Sequence, residues 1–250
     1  MKAVSIKGRK SGFQSLSVDI KMKSMTGRPD KVKLLPAYPM AAAARLIGSN
    51  PSTLRTWFRG RSGATKKYAA KLPTQSKSGE PISFIDLVEA HVFRLIRQRY
   101  HIPRKHIKAA TEYLASIKGN LTYLAHQDFY VDSAHLMLKI NDMLVSLSER
   151  GQLVDKEILE DGLKQLNYGS DGYASEFFPA PKSGPPEQRS FVISPTRNFG
   201  RLCLLRSGVS MDAIAMRFIK GEKIADIAAD YDATIEEIEG AIRWHEWLAA

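Results

Sequence analysis

Short apolar stripes at helical spacing, interrupted by glycine and proline, are the main pattern of this chain. Pro39 suits a first helical turn, and Gly48 can end that helix in left-handed geometry. Asn50 is a good N-cap for a second helix that begins at Pro51. The segment Tyr38–Gly60 therefore predicts two short helices joined by a glycine turn.

The second of these helices has one apolar face and one polar face. Its apolar side chains share a face at i, i+3, i+4 spacing and are Leu54, Trp57 and Phe58. Its outer, candidate DNA-contacting residues are Ser52, Thr53, Arg55, Thr56 and Arg59. Arginine can bind guanine bidentately, and hydroxyls can bind phosphates. The same pattern also fits an ordinary helical hairpin with solvated arginines, so the charge of the surrounding chain decides between the two.

Positive charge is concentrated in the first third of the chain. Residues 1–80 hold 17 Lys and Arg against 3 Asp and Glu, whereas residues 81–180 hold 11 against 13 and residues 181–250 hold 9 against 10. A chain that needed charge only for solubility would not distribute it in this way. The distribution favours a polyanion partner for the N-terminal third. For residues 1–33 alone, a basic leader without a fixed fold is the alternative.

The stretch that follows the second helix extends the candidate DNA interface. Residues 61–80 are rich in Gly, Ser, Lys and Pro. Such a composition predicts a basic loop or a β-wing that lies over the DNA backbone. Arg61, Lys66 and Lys67 are its candidate phosphate contacts.

The middle of the chain predicts supporting helices and then a sheet-containing connector. A helix capped by Ser83, with Asp86 in the capping-box position, is followed by a helix from Pro103. Further predicted elements are a β-hairpin within residues 128–151, a helix over Val154–Leu166, and strands at Tyr173–Phe178 and Phe191–Ile193. Residues 179–189 contain four prolines and read as a linker, which places a domain boundary near residue 185.

Three short helices are predicted at the C-terminus. The first helix is Met211–Lys220, which ends at Gly221, and the second is Ile224–Asp230. The last helix is capped by Thr234 and Glu237. The side chains predicted to be buried are Ile214, Ala215 and Phe218 in the first helix and Ile238, Ala241, Ile242, His245 and Leu248 in the last. This module is itself helix-turn-helix-like, but its last helix begins with several glutamates, which would face phosphates with like charge. Protein contacts are therefore expected of it. Trp244 and Trp247 are the candidate anchors for a partner, and a place in the core is the alternative for both.

The predicted fold class is mainly α with a small β component. The expected division is a basic leader without a fixed fold (1–35), a winged helix-turn-helix domain with supporting helices (36–120), an α+β connector (121–184) and a C-terminal helical domain (185–250). A chain of 250 residues is long enough for several small cores.

Catalytic chemistry is not expected. The 6 histidines show no i, i+4 metal pair, and the chain has no glycine-rich phosphate loop and no nucleophile motif. Acidic residues of the connector lie on predicted turns and a helix exterior, which indicates a solvated face rather than a Mg²⁺ site. One cysteine, no long apolar run and no signal peptide fit a cytoplasmic protein without cofactors and without membrane contacts.

Two parts of the chain resemble known families. The segment YPMAAAARLIGSNPSTLRTWFRG is similar to the first two helices of MerR-like winged-helix domains, and ISFIDLVEAHVFRLIRQRYHIPRKHIKAATEYL resembles the helix pair that packs behind them. The stretch from ISPTRNFGR through GVSMDAIAMRF and GEKIADIAADYDAT to IEEIEGAIRW resembles a small C-terminal domain of unknown function found in many VapB-type antitoxins. Together they resemble one architecture of VapB-type antitoxin over residues 35–248.

The resemblance implies two partners for the protein. One is a PIN-domain-like ribonuclease toxin, which the antitoxin binds and silences; the other is operator DNA, through which it represses its own operon. A homodimer is also expected, because two half-sites normally require a dimer of matching spacing. The alternative is a stand-alone MerR-like transcriptional regulator without a toxin. A purely structural protein would leave the basic N-terminal third unexplained.

Overall fold

The computed structural model describes residues 28–62, 67–68, 72, 81–100, 123–127, 163–179 and 189–249. Within these ranges the chain is mostly helical with small antiparallel sheets, which confirms the predicted fold class. The predicted helix from Pro103, the hairpin of residues 128–151 and most of the helix predicted over Val154–Leu166 lie outside the described residues. None of the helices in the described ranges is both long and apolar enough to span a bilayer.

The described residues form α-helices and short β-strands. The helices are α1 (Met40–Leu46), α2 (Pro51–Arg59), α3 (Phe84–Tyr100), α4 (Met211–Ile219), α5 (Ile224–Asp230) and α6 (Ile235–Ala249). The strands are β1 (Pro36–Tyr38), β2 (Arg61–Ser62), β3 (Lys67–Tyr68), β4 (Ile82–Ser83), β5 (Leu166–Tyr168), β6 (Ala174–Phe177), β7 (Phe191–Val192) and β8 (Cys203–Leu204). They form antiparallel pairs: β1 with β4, β2 with β3, β5 with β6, and β7 with β8.

The three C-terminal helices lie where the sequence predicts them. Gly221 follows α4 with a φ of 92°, a conformation that glycine adopts without strain. Thr234 and Glu237 form the predicted capping box before α6: the Thr234 amide donates to Glu237 Oε2 at 3.0 Å and the Glu237 amide donates to Thr234 Oγ1 at 3.2 Å. Local capping chemistry therefore sets these helix ends.

Three side chains depart from their predicted places. Phe218, which the sequence predicts inside the core, is 40% exposed in the last turn of α4. Leu166 belongs to strand β5, opposite Phe177, and not to a helix. His245 is only half-buried, and its Nδ1 lies 3.0 Å from Oδ1 of Asp212. The departures of Leu166 and His245 depend on neighbours distant in sequence, Phe177 and Asp212.

The core joins the two ends of the chain. One continuous cluster of buried apolar side chains includes residues from α1, α2 and α3, from the small sheets and from α4, α5 and α6. Helix α6 packs on α1, and the Arg45 guanidinium donates to the carbonyl oxygen of Leu248. The hydroxyl of Tyr38 donates to the carbonyl of Gly200 at 2.9 Å. Whether the chain divides near residue 185 stays a prediction.

The described end of the predicted leader, residues 28–35, makes defined contacts with the rest of the chain. Lys31–Leu34 form a 3₁₀ turn. The Lys33 side chain is only 7% exposed, and its Nζ lies 2.7 Å from Oδ1 of Asp171. This buried ion pair differs from the expectation of a leader without a fixed fold over residues 1–35, and it fastens the entry to β1 and α1 onto the β5–β6 turn.

Candidate nucleic-acid interface

Helices α1 and α2 form a helix–turn–helix pair through a turn that is fixed by backbone hydrogen bonds. Gly48 has a φ of 65°, and its amide donates to the carbonyl of Arg45 at 2.8 Å. Asn50 caps α2: its Oδ1 accepts from the amide of Ser52 at 2.9 Å and from the hydroxyl of the same residue at 2.8 Å. Pro51 occupies the first position of α2. The two helices thus meet in the arrangement that the glycine and the cap predict.

The candidate residues of α2 lie on its outer side. Ser52, Arg55 and Arg59 are exposed, whereas Thr53 and Thr56 are half-buried. Thr56 Oγ1 donates to the carbonyl of Ser52 at 2.8 Å, so this hydroxyl can only accept from a ligand. The two arginines are four residues apart and therefore lie about 6 Å apart along the helix axis. They supply the cationic part of this face.

A two-stranded hairpin follows α2 directly. Gly60 ends the helix with a φ of 76°, and β2 and β3 then pair with Arg61 opposite Tyr68 and Ser62 opposite Lys67. Leu72 returns to α2, where its amide donates to the carbonyl of Trp57 at 3.0 Å. Residues 61–62 and 67–68 are thus paired strands, and their role as a β-wing over DNA stays a prediction. The candidate Lys66 lies outside the described residues, as do the side chains of the candidates Arg61 and Lys67.

Helix α3 supports α2 from behind. The Trp57 ring meets the Phe93 ring edge-to-face with centroids 5.1 Å apart, and the Arg97 guanidinium lies 5.8 Å from the Trp57 ring centroid. Ser83 and Asp86 form the predicted capping box of α3, with the Ser83 amide 3.0 Å from Oδ2 of Asp86. Because α3 is fixed at its start and packed against Trp57, the outer face of α2 is held in one orientation.

The two C-terminal tryptophans pack against each other rather than standing apart. Trp244 is 4% exposed; its ring centroid lies 4.9 Å from that of Trp247 and 6.5 Å from that of Phe191. Trp247 is half-buried. These positions fit the core alternative for Trp244. A partner-binding role for either residue stays a prediction.

The C-terminal helices present acidic groups in place of a cationic face. Glu236, in the first turn of α6, accepts from its own backbone amide and from Thr234, and both interactions lower the pKa of its carboxyl. Arg217 is engaged within the module: its Nε lies 2.7 Å from Oε2 of Glu222 and its Nη2 lies 2.6 Å from Oδ2 of Asp230. The start of α6 is therefore anionic and unsuited to phosphate binding.

No metal or nucleophile site emerges in the described part of the chain. No three His, Cys, Asp or Glu side chains converge there in a way that could hold a metal ion. Cys203 is buried, and this burial raises the pKa of its thiol.

The chain is similar to one solved structure and to two proteins of Mycobacterium tuberculosis. The crystal structure of Rv2018 from Mycobacterium tuberculosis shares the fold, with a TM-score of 0.65 and 24% identity over 83% of this chain and 98% of that one. The M. tuberculosis protein named "Putative antitoxin VapB45" is 26% identical over 83% of this chain and 93% of its own length. The M. tuberculosis protein Rv2308, named as uncharacterized, is 25% identical over 82% of this chain and 88% of its own length. No protein-family model matches the chain.

Proposed function

We propose that this protein is the antitoxin of a VapBC-type pair, which neutralises a PIN-domain-like ribonuclease and represses its own operon by binding operator DNA. The observation that carries the proposal is the similarity to the VapB45 relative, which extends over 83% of this chain and 93% of that relative. Antitoxins of this kind act by binding and need no catalytic site.

The DNA-binding half of the proposal is supported by the outer face of α2. Arg55 and Arg59 are exposed one turn apart on a helix whose opposite side is fully packed. A helix of this kind can enter the major groove with its outer side chains toward the base edges. Ser52, Thr53 and Thr56 would add hydroxyl contacts to bases or phosphates.

The hairpin and α3 support a MerR-like winged-helix form of this DNA-binding unit. The hairpin follows α2 immediately, so its basic residues Arg61, Lys66 and Lys67 would lie over the backbone beside the groove. Helix α3 packs behind α2 through Phe93, as a supporting helix would. The excess of Lys and Arg in residues 1–80 would supply the salt-dependent part of the affinity.

A homodimer would present two copies of α2 to the operator. Half-sites one helical turn of DNA apart require recognition helices separated by about 34 Å, a distance that two copies of a small domain can span. The anionic start of α6 keeps the C-terminal helices off the DNA, which leaves them for protein contacts.

The first test is operator binding by Arg55→Ala and Arg59→Ala. Each substitution should weaken binding to a duplex that spans the promoter of the protein's own gene by roughly 1–3 kcal/mol, if the guanidinium binds a base edge bidentately. Fluorescence anisotropy at fixed salt measures the loss. Both side chains are exposed, so the fold should be retained.

Arg243→Ala is the matched control for this test. Arg243 is an exposed arginine on α6 with a surface ion pair to Glu239, and its removal should leave operator affinity unchanged. If Arg243→Ala weakens binding while Arg55→Ala and Arg59→Ala do not, the DNA-contacting face is on the C-terminal helices and our assignment is wrong.

A further inference from the structure

The last turn of α4 carries a cluster of exposed apolar side chains. Met216 is 49% exposed, Phe218 40% and Ile219 65%. Phe199, at 91%, is more exposed but is a single side chain in the turn between β7 and β8. Single apolar residues on a surface are ordinary, whereas neighbouring ones mark a place of interaction. In the described part of the chain, the end of α4 is such a place.

Two of these apolar side chains share the outer face of α4 with two charges. Residues at i, i+4, i+7 and i+8 spacing lie on one side of a helix, and on α4 they are Asp212, Met216, Ile219 and Lys220. All four are exposed, whereas Ile214 on the opposite side is buried. The outer face therefore runs from an acid, over two apolar side chains, to a base.

This order of side chains is complementary to its own reverse. Met216 lies midway between Asp212 and Lys220, which are separated by about 12 Å along the helix axis. When a second α4 packs antiparallel on the first with Met216 at the two-fold axis, Asp212 of each copy lies level with Lys220 of the other. The apolar side chains between the charges then cover one another. A parallel pair would instead bring the two aspartates together, and like charges across an interface oppose association.

The neighbouring charges leave both ends of the outer face available. Glu222 acts electrostatically on Lys220, but its carboxylate is held by Arg217, whose Nε lies 2.7 Å from Oε2. At the other end, Nδ1 of His245 lies 3.0 Å from Oδ1 of Asp212, and Oδ2 of the same carboxylate remains for a lysine. An uncharged imidazole at this distance does not cancel the charge of the aspartate.

We propose that this protein dimerises through α4: the outer faces of two copies pack antiparallel about Met216, with ion pairs between Asp212 of each copy and Lys220 of the other. It rests on the proposed function in one respect, because it gives the expected homodimer its interface. The interface needs neither the ribonuclease nor the DNA to form.

The outer face of α4 fits a second copy better than it fits another partner. A nucleic acid would meet Asp212 with like charge and would leave Met216 and Ile219 without an apolar contact. A ribonuclease would have to present an acid and a base at the spacing of this face. A second α4 presents both by symmetry.

Self-association of the full-length protein, measured by sedimentation equilibrium at pH 8, is the test, since imidazoles are ordinarily uncharged there. The wild-type dissociation constant should be on the order of micromolar, because a pair of short helices makes a small interface. Asp212→Lys and Lys220→Glu each bring like charges together and should each weaken the dimer at least about 10-fold. Asp226→Lys, the same change at an exposed aspartate in the first turn of α5, is the matched control and should leave the dimer unchanged.

Mixing the two single variants tests the antiparallel geometry itself. A chain with Asp212→Lys carries a base at both ends of the outer face, and a chain with Lys220→Glu carries an acid at both ends. Equal amounts of the two should form a heterodimer with two favourable ion pairs, within about threefold of the wild-type affinity. A weakened fold, or a face covered by another part of the same chain, cannot produce this rescue.

Every other outcome overturns the α4 interface. Single variants that dimerise like wild type, a mixture that stays monomeric, or a wild-type protein that does not self-associate would each do so. Single variants that keep the dimer but lose binding to the product of the neighbouring reading frame would assign the face to that protein instead. All these results leave the antitoxin function standing, whereas a wild-type dimer that fails to inhibit the ribonuclease would overturn that function and keep the interface.

Discussion

Asp171→Asn should lower the free energy of unfolding by about 2–4 kcal/mol, because it leaves the buried Lys33 ammonium without a counter-charge. The Lys33 side chain is 7% exposed. Its Nζ lies 2.7 and 2.9 Å from the two oxygens of Asp171 and 3.2 Å from the carbonyl of Tyr173. Asparagine keeps the shape of the side chain and one acceptor but removes the charge. Urea unfolding at pH 7 measures the loss.

Two variants test whether the loss of stability in Asp171→Asn comes from the buried charge of Lys33. Asp232→Asn makes the same chemical change in an exposed pair, where Arg206 Nη2 lies 3.0 Å from Asp232 Oδ2, and should cost less than about 1 kcal/mol. Lys33→Met combined with Asp171→Asn removes both charges and should recover much of the lost stability. Equal losses in Asp171→Asn and Asp232→Asn would contradict the structural role of this ion pair.

The same ion pair predicts acid sensitivity. Burial alone raises the pKa of the Asp171 carboxyl, but hydrogen bonds from Lys33 and from the amides of Asp30 and Tyr173 outweigh burial and hold it below its ordinary value of 3.8. A carboxyl with a lowered pKa stabilises the fold above its unfolded pKa and loses that contribution as the pH falls through the folded one. The contribution should therefore be complete above about pH 4, decline as the pH falls below that value, and be lost only below the lowered pKa of the folded state.

Glu89→Gln should have the second large effect and should stabilise the protein at alkaline pH. Glu89 lies on α3 and is 1% exposed, and its Oε1 accepts from the amide of Ala125 at 2.8 Å. Burial raises the pKa of this carboxyl to about 8, and the nearby Asp86 adds to the increase. Glutamine keeps the acceptor for Ala125 and carries no charge at any pH.

The direction of the effect follows from the raised pKa of Glu89. The folded state favours the protonated carboxyl, so this group contributes fully below the unfolded pKa near 4.5 and loses its contribution as the pH rises through the folded pKa near 8. A tenfold change in proton affinity corresponds to about 1.4 kcal/mol. On this scale the advantage of Glu89→Gln over wild type should grow to on the order of 3–5 kcal/mol by pH 8.5.

Urea unfolding between pH 4 and 9 tests this prediction. Wild type should lose stability steadily across that window, and Glu89→Gln should lose much less. Glu239→Gln, on the partly exposed side of α6, is the control and should follow the wild-type profile. If Glu89→Gln and wild type have parallel profiles, the Glu89 carboxyl is ionised in the folded protein and the prediction is wrong.

The sequence predicts the helices well because their signals are local. The Asn50 cap, the turn at Gly48 and the Thr234–Glu237 capping box each act over three or four residues, and the structure confirms them. The apolar face of α2 is also confirmed, since Leu54, Trp57 and Phe58 are all buried. Periodicity and capping are sufficient for elements of this kind.

Long-range features leave no comparable signal. Lys33 lies in a basic stretch that composition assigns to a leader, and only its partner 138 residues away makes it part of the core. Glu89 is a charged residue of α3, which by itself favours an exposed position. It is buried because β6 and the 3₁₀ turn at Tyr123–Ala125 pack against this helix. Strand β5 is three residues long, too short for a pattern to show.

For the candidate sites too, the sequence predicts what depends on local pattern and misses what depends on distant contacts. Pattern and charge were sufficient to single out Arg55 and Arg59, and the structure places both on an exposed helix face. Phe199 lies within the quoted motif ISPTRNFGR, but a phenylalanine beside a glycine gives no sign of the exposure or of the left-handed backbone that the structure shows. Those properties come from the hydrogen bonds of Arg197 and Gly200 to Leu205 and Tyr38.

The proposed silencing of a ribonuclease can be measured by titrating the activity of that enzyme with this protein. The purified product of the reading frame next to the gene would be assayed for ribonuclease activity on a labelled RNA, with increasing amounts of the full-length protein. We expect the activity to fall to background near a fixed stoichiometric ratio. Undiminished activity at saturating protein that still binds its operator would contradict the antitoxin function and would indicate a stand-alone regulator.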